Sequence, residues 1–265
     1  MAQLWRLIRT GIFNAYENMA IDHVLLEGLH KDTAANTVRF YRWNPSAVSI
    51  GRFQHLEDEV NVETCHQFNI DIVRRISSGG AVYHDFDGEL TYSIICRTDK
   101  TKLPTDVIET YQHICNGILK GLHRLGVLGK FSKGSEEFCP NIFVKKRKIS
   151  GNAQSRRGHS LLQHGTILRL LDLNKMFAVL KVQKQPVNET FIREAAKKLT
   201  SLQEELGSPP SFAQIEEALI EGLGQALPAR FYEEGLTDAE LQSAKQLAKS
   251  WYASPEWSFQ RGFKP

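Results

Sequence analysis

Apolar and polar positions along the chain fall into two regimes. Leu4 to Ile8 reads as an opening strand, and Asn18 to His30 as a helix in which Ile21, Val24, Leu25 and Leu29 recur at helical spacing. That spacing places Asp22 on the helix's other face or edge. Val38 to Trp43 and Ala47 to Ile50 are strand-like around an Asn44-Pro45 turn, and Ile70 to Arg75, Ala81 to Tyr83 and Leu90 to Cys96 add further strands. Asp106 to Leu125 is a long helical pattern, after which Ile142 to Val144, Lys148 to Ser150 and Leu161 to Leu168 return to strand. Beyond Asp172 the pattern turns helical, over Leu173 to Val182, Ile192 to Leu199, Phe212 to Leu227 and Asp238 to Tyr252. Thr237 and Glu240 have capping-box spacing at the start of the last helix. The mixture predicts an α+β fold. A strand-rich body over residues 1–183 and a helical C-terminal segment over 184–265 are expected to pack as one domain, with Lys184 to Thr190 as the connection and no separate accessory domain.

Composition narrows the class. With 42% apolar residues in 265, the chain can fill a core of enzyme size. A formal charge of +3, from 33 basic and 30 acidic residues, is too small to imply nucleic acid and permits an acidic partner. No run reaches the length of a membrane span, and Met1 to Thr10 lacks the apolar core of a secretory signal, so the expected location is cytoplasmic. Cys65, Cys96, Cys115 and Cys139 are widely separated and suggest neither a zinc site nor a disulfide framework.

Chemistry concentrates in two segments. Arg74-Arg75-Ile76-Ser77-Ser78-Gly79-Gly80-Ala81-Val82-Tyr83-His84-Asp85 delivers two arginines into a small-residue turn. Small residues let a ligand approach the backbone, and exposed N–H groups with guanidinium forks suit an anion, although most such turns only connect strands. The second segment is Arg147-Lys148-Ile149-Ser150-Gly151-Asn152-Ala153-Gln154, followed by Gln163-His164-Gly165-Thr166.

In that order the two segments resemble the lipoate-protein ligase A family, whose signature is Arg-Arg-x-Ser/Thr-Gly-Gly-Gly-Ala-Val-x-His-Asp, then Lys-Ile/Val-x-Gly-x-Ala-Gln and a His-Gly strand. Weaker similarity runs from near Trp5 through Asn18 to Asp22 and Arg39 to Pro45, and on to Trp257. The resemblance implies the biotin/lipoate ligase catalytic fold, a mixed sheet flanked by helices. It also implies activation of lipoate by ATP to an acyl-adenylate, with magnesium, and transfer of the lipoyl group to a lysine of a lipoyl-carrier domain. No carboxylate cluster specifies the magnesium ligands. By the same resemblance Arg75, Gly79, Gly80, Ala81, Val82 and Tyr83 fall at nucleotide-binding positions, and Lys148 is the catalytic ammonium, touching both nucleotide and lipoate. His164 is expected to line the lipoate pocket, without an assigned proton transfer. Ser78 replaces the first glycine of the signature, which restricts the backbone if that position needs positive φ.

Adjacent residues on a strand face opposite ways. Arg74 is therefore expected to diverge from Arg75 and pair with a carboxylate, and His84 and Asp85 are not expected to touch. Two alternatives stand beside the ligase reading. Related octanoyltransferases take octanoyl from acyl carrier protein through a cysteine thioester, for which Cys139 is the candidate nucleophile. The other is a non-catalytic lipoyl-domain-binding protein. Some relatives also receive an accessory domain from a separate polypeptide, which would make such a chain a further partner here.

Overall fold

In the computed structural model, residues 2–133, 140–182, 186–227 and 229–259 are described. The chain begins with β1 (Gln3–Phe13), α1 (Ala15–His30), β2 (Thr37–Trp43) and β3 (Ala47–Ile50). Short helices α2 (Leu56–Glu59) and α3 (Val62–Gln67) precede β4 (Asp71–Arg74), β5 (Val82–His84) and β6 (Glu89–Arg97). Then follow α4 (Val107–Arg124), β7 (Gly129–Ser132), β8 (Asn141–Val144), β9 (Arg147–Arg157) and β10 (Ser160–Leu168). The remainder is α5 (Leu173–Val179), α6 (Glu189–Ala196), α7 (Leu202–Leu206), α8 (Phe212–Ala226), β11 (Ala229–Glu233), α9 (Asp238–Leu247), a π-helical turn (Ala248–Tyr252) and α10 (Pro255–Phe259).

Eight strands form one mixed sheet in the order β11-β1-β2-β6-β10-β9-β8-β7, and β4-β3-β5 form a smaller sheet. The period of two divides the central strands between two cores. Val38, Phe40, Leu90, Tyr92, Ile94 and Leu161 pack toward α4 and α8. Tyr41, Trp43, Ile95 and Leu162 pack toward α1, α9 and Trp257. A third cluster, including Val48, Ile50, Cys65, Ile72, Tyr83 and Val179, fills the space under the small sheet. Helices α4 and α8 cross at backbone contact, since a Cβ on Gly222 would lie 2.3 Å from the Gly117 carbonyl oxygen.

The predicted α+β class is observed, with several local differences. Strands β7 and β11 are additional. β7 is a four-residue edge strand with every second side chain exposed, and β11 pairs in parallel with β1 from within the helical C-terminal segment. Helix α5 ends at Val179, short of Val182, and α6 starts at Glu189 because the Asn188 side chain accepts from the Phe191 N–H. Asp22, off the apolar stripe of α1, is buried all the same. It is 2% exposed, because α1 buries Asn18, Met19, Ala20, Ile21 and Asp22 alike between the sheet and α9. Among the described residues no helix is long and apolar enough to cross a membrane.

Candidate active site

On the α1 side of the sheet, the alternation that buries Tyr41, Trp43 and Leu162 also turns Arg39, Ser93 and His164 toward Asp22. Arg39 Nη1 donates to Asp22 Oδ1 at 2.7 Å; the Ser93 and Tyr41 hydroxyls donate to Oδ2 at 2.6 and 3.1 Å. Arg39 also donates to the Asn18 side-chain oxygen at 2.6 Å. Burial alone would raise the Asp22 pKa, but Arg39, His164 and Ser93 together hold it below the usual carboxylate value. His164 Nδ1 lies 3.5 Å from Asp22 Oδ2, and its Nε2 lies 2.6 Å from the Ser77 hydroxyl. Burial outweighs the pull of Asp22 and lowers the His164 pKa, which favours a neutral ring. The partners then assign Nδ1–H to Asp22 and Nε2 as the acceptor from Ser77. Both nitrogens are engaged, consistent with a positioning role.

This network lies against a cavity of about 240 Å³. Its lining includes Met19, Tyr41, Trp43, Val82 and Ala153. The polar atoms of its aromatic residues are turned to buried partners, Tyr41 to Asp22 and Trp43 Nε1 to the Thr91 hydroxyl at 2.7 Å, so hydrocarbon faces the space. Such a trough suits an acyl chain.

The arginine-glycine loop forms one wall. Arg74 and Arg75 diverge, but among the described residues Arg74 meets no carboxylate. It donates to the carbonyls of Gly51, Arg52 and Gln54 in the loop after β3 and of Trp257 and Ser258 in α10. Arg75 reaches under the loop and donates to the carbonyls of Ser49, Ser78 and Gly80 at 3.1, 2.9 and 2.8 Å, and to the Ser77 hydroxyl at 3.2 Å. Gly79, at φ +101°, is the position that requires glycine. Ser78 is exposed and is not among the residues with positive φ, so the substituted serine imposes no strain there.

Gly79, Gly80, Ala81 and Val82 all line the cavity with Arg75. Tyr83 does not: alternation turns its side chain to the opposite face, where its hydroxyl donates to Asp85 at 2.9 Å. His84 returns to the cavity, stacked on Trp43 at 4.0 Å, with Nδ1 2.6 Å from Glu89 and Nε2 2.8 Å from the Ser49 hydroxyl. Asp85 pairs instead with Lys175 at 3.2 Å, so the two neighbours do take different partners.

Lys148 forms the facing wall with Asn141, Gly151 and Asn152. A Cβ on Gly151 would approach Lys148 Nζ to 3.1 Å, so the glycine leaves the ammonium room to lie along the strand. His164 lines the same cavity. Cys65, Cys96 and Cys115 are buried elsewhere, their thiols pushed up by burial to about 11, 12 and 12. Cys139 lies outside the described residues. Pro140, next in sequence, has its carbonyl on Asn152 Nδ2 at 3.4 Å. Among the described residues no group of three His, Cys, Asp or Glu side chains is placed to hold a metal ion. The Asp22–Arg39 pair, Ser77 and Trp43 were not singled out from the sequence; the charged Arg39 between the apolar Val38 and Phe40 was the signal present.

A family profile described as the lipoyl protein ligase A/B catalytic domain matches residues 14–224. The octanoyltransferase LipM of Clostridioides difficile is 34% identical over 271 residues, spanning 97% of this chain and 99% of that protein. The LipM of Bacillus subtilis is 32% identical over 277 residues, spanning 98% and 99%. Among solved structures, lipoate-protein ligase A bound with ATP superposes with a TM-score of 0.81 at 26% identity, covering 98% of this chain and 99% of that one. A bi-partite lipoate protein ligase from Thermoplasma acidophilum has the same fold, with a TM-score of 0.85 at 24% identity over 99% of both chains.

Proposed function

This chain belongs to the lipoyl protein ligase A/B catalytic-domain family, and we propose that within it the chain is an octanoyltransferase, moving an octanoyl group from a carrier-protein thioester to a lysine of a lipoyl-carrier domain. The observation that carries this reading is the apolar trough beside Lys148, combined with an Arg75 guanidinium whose N–H groups are engaged by Ser49 on β3 and by its own loop. An acyl thioester needs a hydrocarbon slot and a cation near its carbonyl. Near end-to-end likeness to proteins named octanoyltransferase supports the same reading.

Thioester exchange needs no ATP, since one thioester replaces another of similar energy. The three described cysteines are buried away from the cavity with raised pKa values, so Cys139 is assigned the thiolate. Its sulfur adds to the octanoyl carbonyl and the carrier's thiolate leaves. The target lysine's amine then adds to the enzyme thioester, loses a proton, and expels the Cys139 thiolate as the amide forms. In both steps negative charge develops on the carbonyl oxygen, where the Lys148 ammonium stabilises it. Trapping tests the route directly. Incubation with octanoyl carrier protein alone should leave an octanoyl mass on Cys139, and Cys139→Ser should abolish transfer; full transfer by the serine variant would contradict the thioester.

ATP-dependent attachment of lipoate is the second reading, favoured by the 26%-identical ligase solved with ATP. It would use the Gly79–Gly80 backbone for phosphate and would bring magnesium with the nucleotide.

A further inference from the structure

The turn that delivers Lys148 has a shape its sequence does not favour. Val144 pairs with Arg147 across a two-residue connection, and both connecting residues, Lys145 and Lys146, are left-handed, at φ +48° and +71°. Two-residue hairpins take this shape because it matches the strand twist, but Asn and Gly are the residues that enter it readily. Lysines persist there only when surrounding structure holds them.

The hold comes from the C-terminal segment. Glu205 on α7 has a side chain only 3% exposed, and its carboxylate takes Arg147 Nη2 at 2.6 Å, the Thr200 hydroxyl at 2.8 Å and Lys145 Nζ at 3.1 Å. Glu204 adds Arg147 Nη1 at 2.5 Å. Thr200 closes the circuit, because its N–H donates to the Lys148 carbonyl at 2.9 Å while the Lys148 N–H donates to Lys198 at 2.8 Å. One carboxylate therefore grips the turn at 145 and 147 and also the segment that pairs with the backbone of 148. Since side chains alternate along β9, drawing Arg147 outward to α7 turns Lys148 toward the cavity. Burial alone would raise the Glu205 pKa, but hydrogen bonds from Thr200, Lys145 and Arg147 hold it below the ordinary glutamate value.

We infer that Glu205 is a positioning residue for Lys148, clamping a strained hairpin so that the ammonium stands at the cavity wall. The inference rests on the role given to Lys148 above. Glu205→Gln keeps the shape and removes the charge. It should lower kcat about tenfold while leaving the KM for the acyl donor within about twofold, because the donor's binding trough is untouched. Amide exchange should quicken in peptides covering residues 147–150 and stay unchanged across 161–167. Adding Lys145→Asn and Lys146→Gly should return most of the lost kcat, since Asn-Gly enters the turn without the clamp.

A milder variant, Thr200→Val, should lose about threefold in kcat. Unchanged kcat in folded Glu205→Gln overturns the inference, as does a uniform rise in exchange with no rescue by the turn replacement. Should Glu205→Gln fail to fold, unchanged kcat in Thr200→Val overturns it instead. The assay uses whichever donor the wild type accepts. If that donor is lipoate with ATP, the transferase reading falls while the clamp is still tested, because Lys148 serves both reactions.

Discussion

On the α1 side of the cavity the polar groups are anchored in the interior, Asp22 and Arg39 at 2% and 0% exposure, whereas on the Lys148 side the anchoring pairs reach water, with the Arg147 and Lys145 side chains 28% and 77% exposed. The first wall is insulated from salt and is costly to disturb. The second is partly screened, because Arg147 and Lys145 reach water while their carboxylate partner Glu205 is buried. The trough is thus held by interior pairs, and the Lys148 wall by a clamp whose cationic side lies nearer solvent.

The largest expected effect lies on the interior wall. Asp22→Ala leaves the Arg39 guanidinium buried without its carboxylate and should destabilise the fold by about 3–5 kcal/mol in urea titration. A loss below about 1 kcal/mol would mean that the interior pair is no stiffer than the surface ones. The outer wall should behave oppositely. Lys148→Ala should reduce transfer roughly 100- to 1000-fold with little change in Tm, and Lys148→Arg should also be poor because a planar fork cannot replace a compact charge. Near-normal transfer by either variant would remove Lys148 from the chemistry.

Between the walls, the loop offers a smaller test. Gly79→Ala at φ +101° should cost about 1–3 kcal/mol and weaken donor binding, whereas Ser78→Gly should stay within about 0.5 kcal/mol. Equal effects would show that the wrong residue has been given the strained position.

The smallest effect is in pH. Because burial lowers the His164 pKa, the unfolded chain takes up that proton at a higher pH than the native protein. Its contribution to stability is complete above the ordinary histidine value of 6.5 and is lost as pH falls through it toward the folded value. Asp22, also lowered, contributes above the ordinary 3.8 and loses its share below that. The Tm difference between about pH 7.5 and about pH 5.5 should therefore narrow in His164→Gln. An unchanged difference would assign the acid sensitivity to another group.

What the sequence made legible divides along the same line. Strands β2, β6 and β10 were readable because they are buried on both faces and rich in Val, Ile, Leu and aromatic residues, and α4 because one side of it is apolar. β7 and β11 were not, being short and dependent on a neighbour's edge for their pairing. Of the site, the loop residues 79–82 and Lys148 were recognisable as local words. The Asp22–His164–Ser77 connection was not, since it joins residues from three distant elements and only the sheet order brings them together. Tyr83, which the family resemblance groups with the loop residues, turns its side chain away from the cavity by the same strand alternation that separates His84 from Asp85.

We propose that this site exchanges thioesters, with the acyl group held in the apolar trough and Lys148 at its carbonyl. Intact-mass analysis of an apo-lipoyl domain after incubation with the protein tests it most directly, comparing octanoyl carrier protein without nucleotide against free lipoate with ATP and magnesium. A thioester-exchanging site should add an octanoyl group with the carrier donor alone. Modification only in the tube containing lipoate, ATP and magnesium would contradict it.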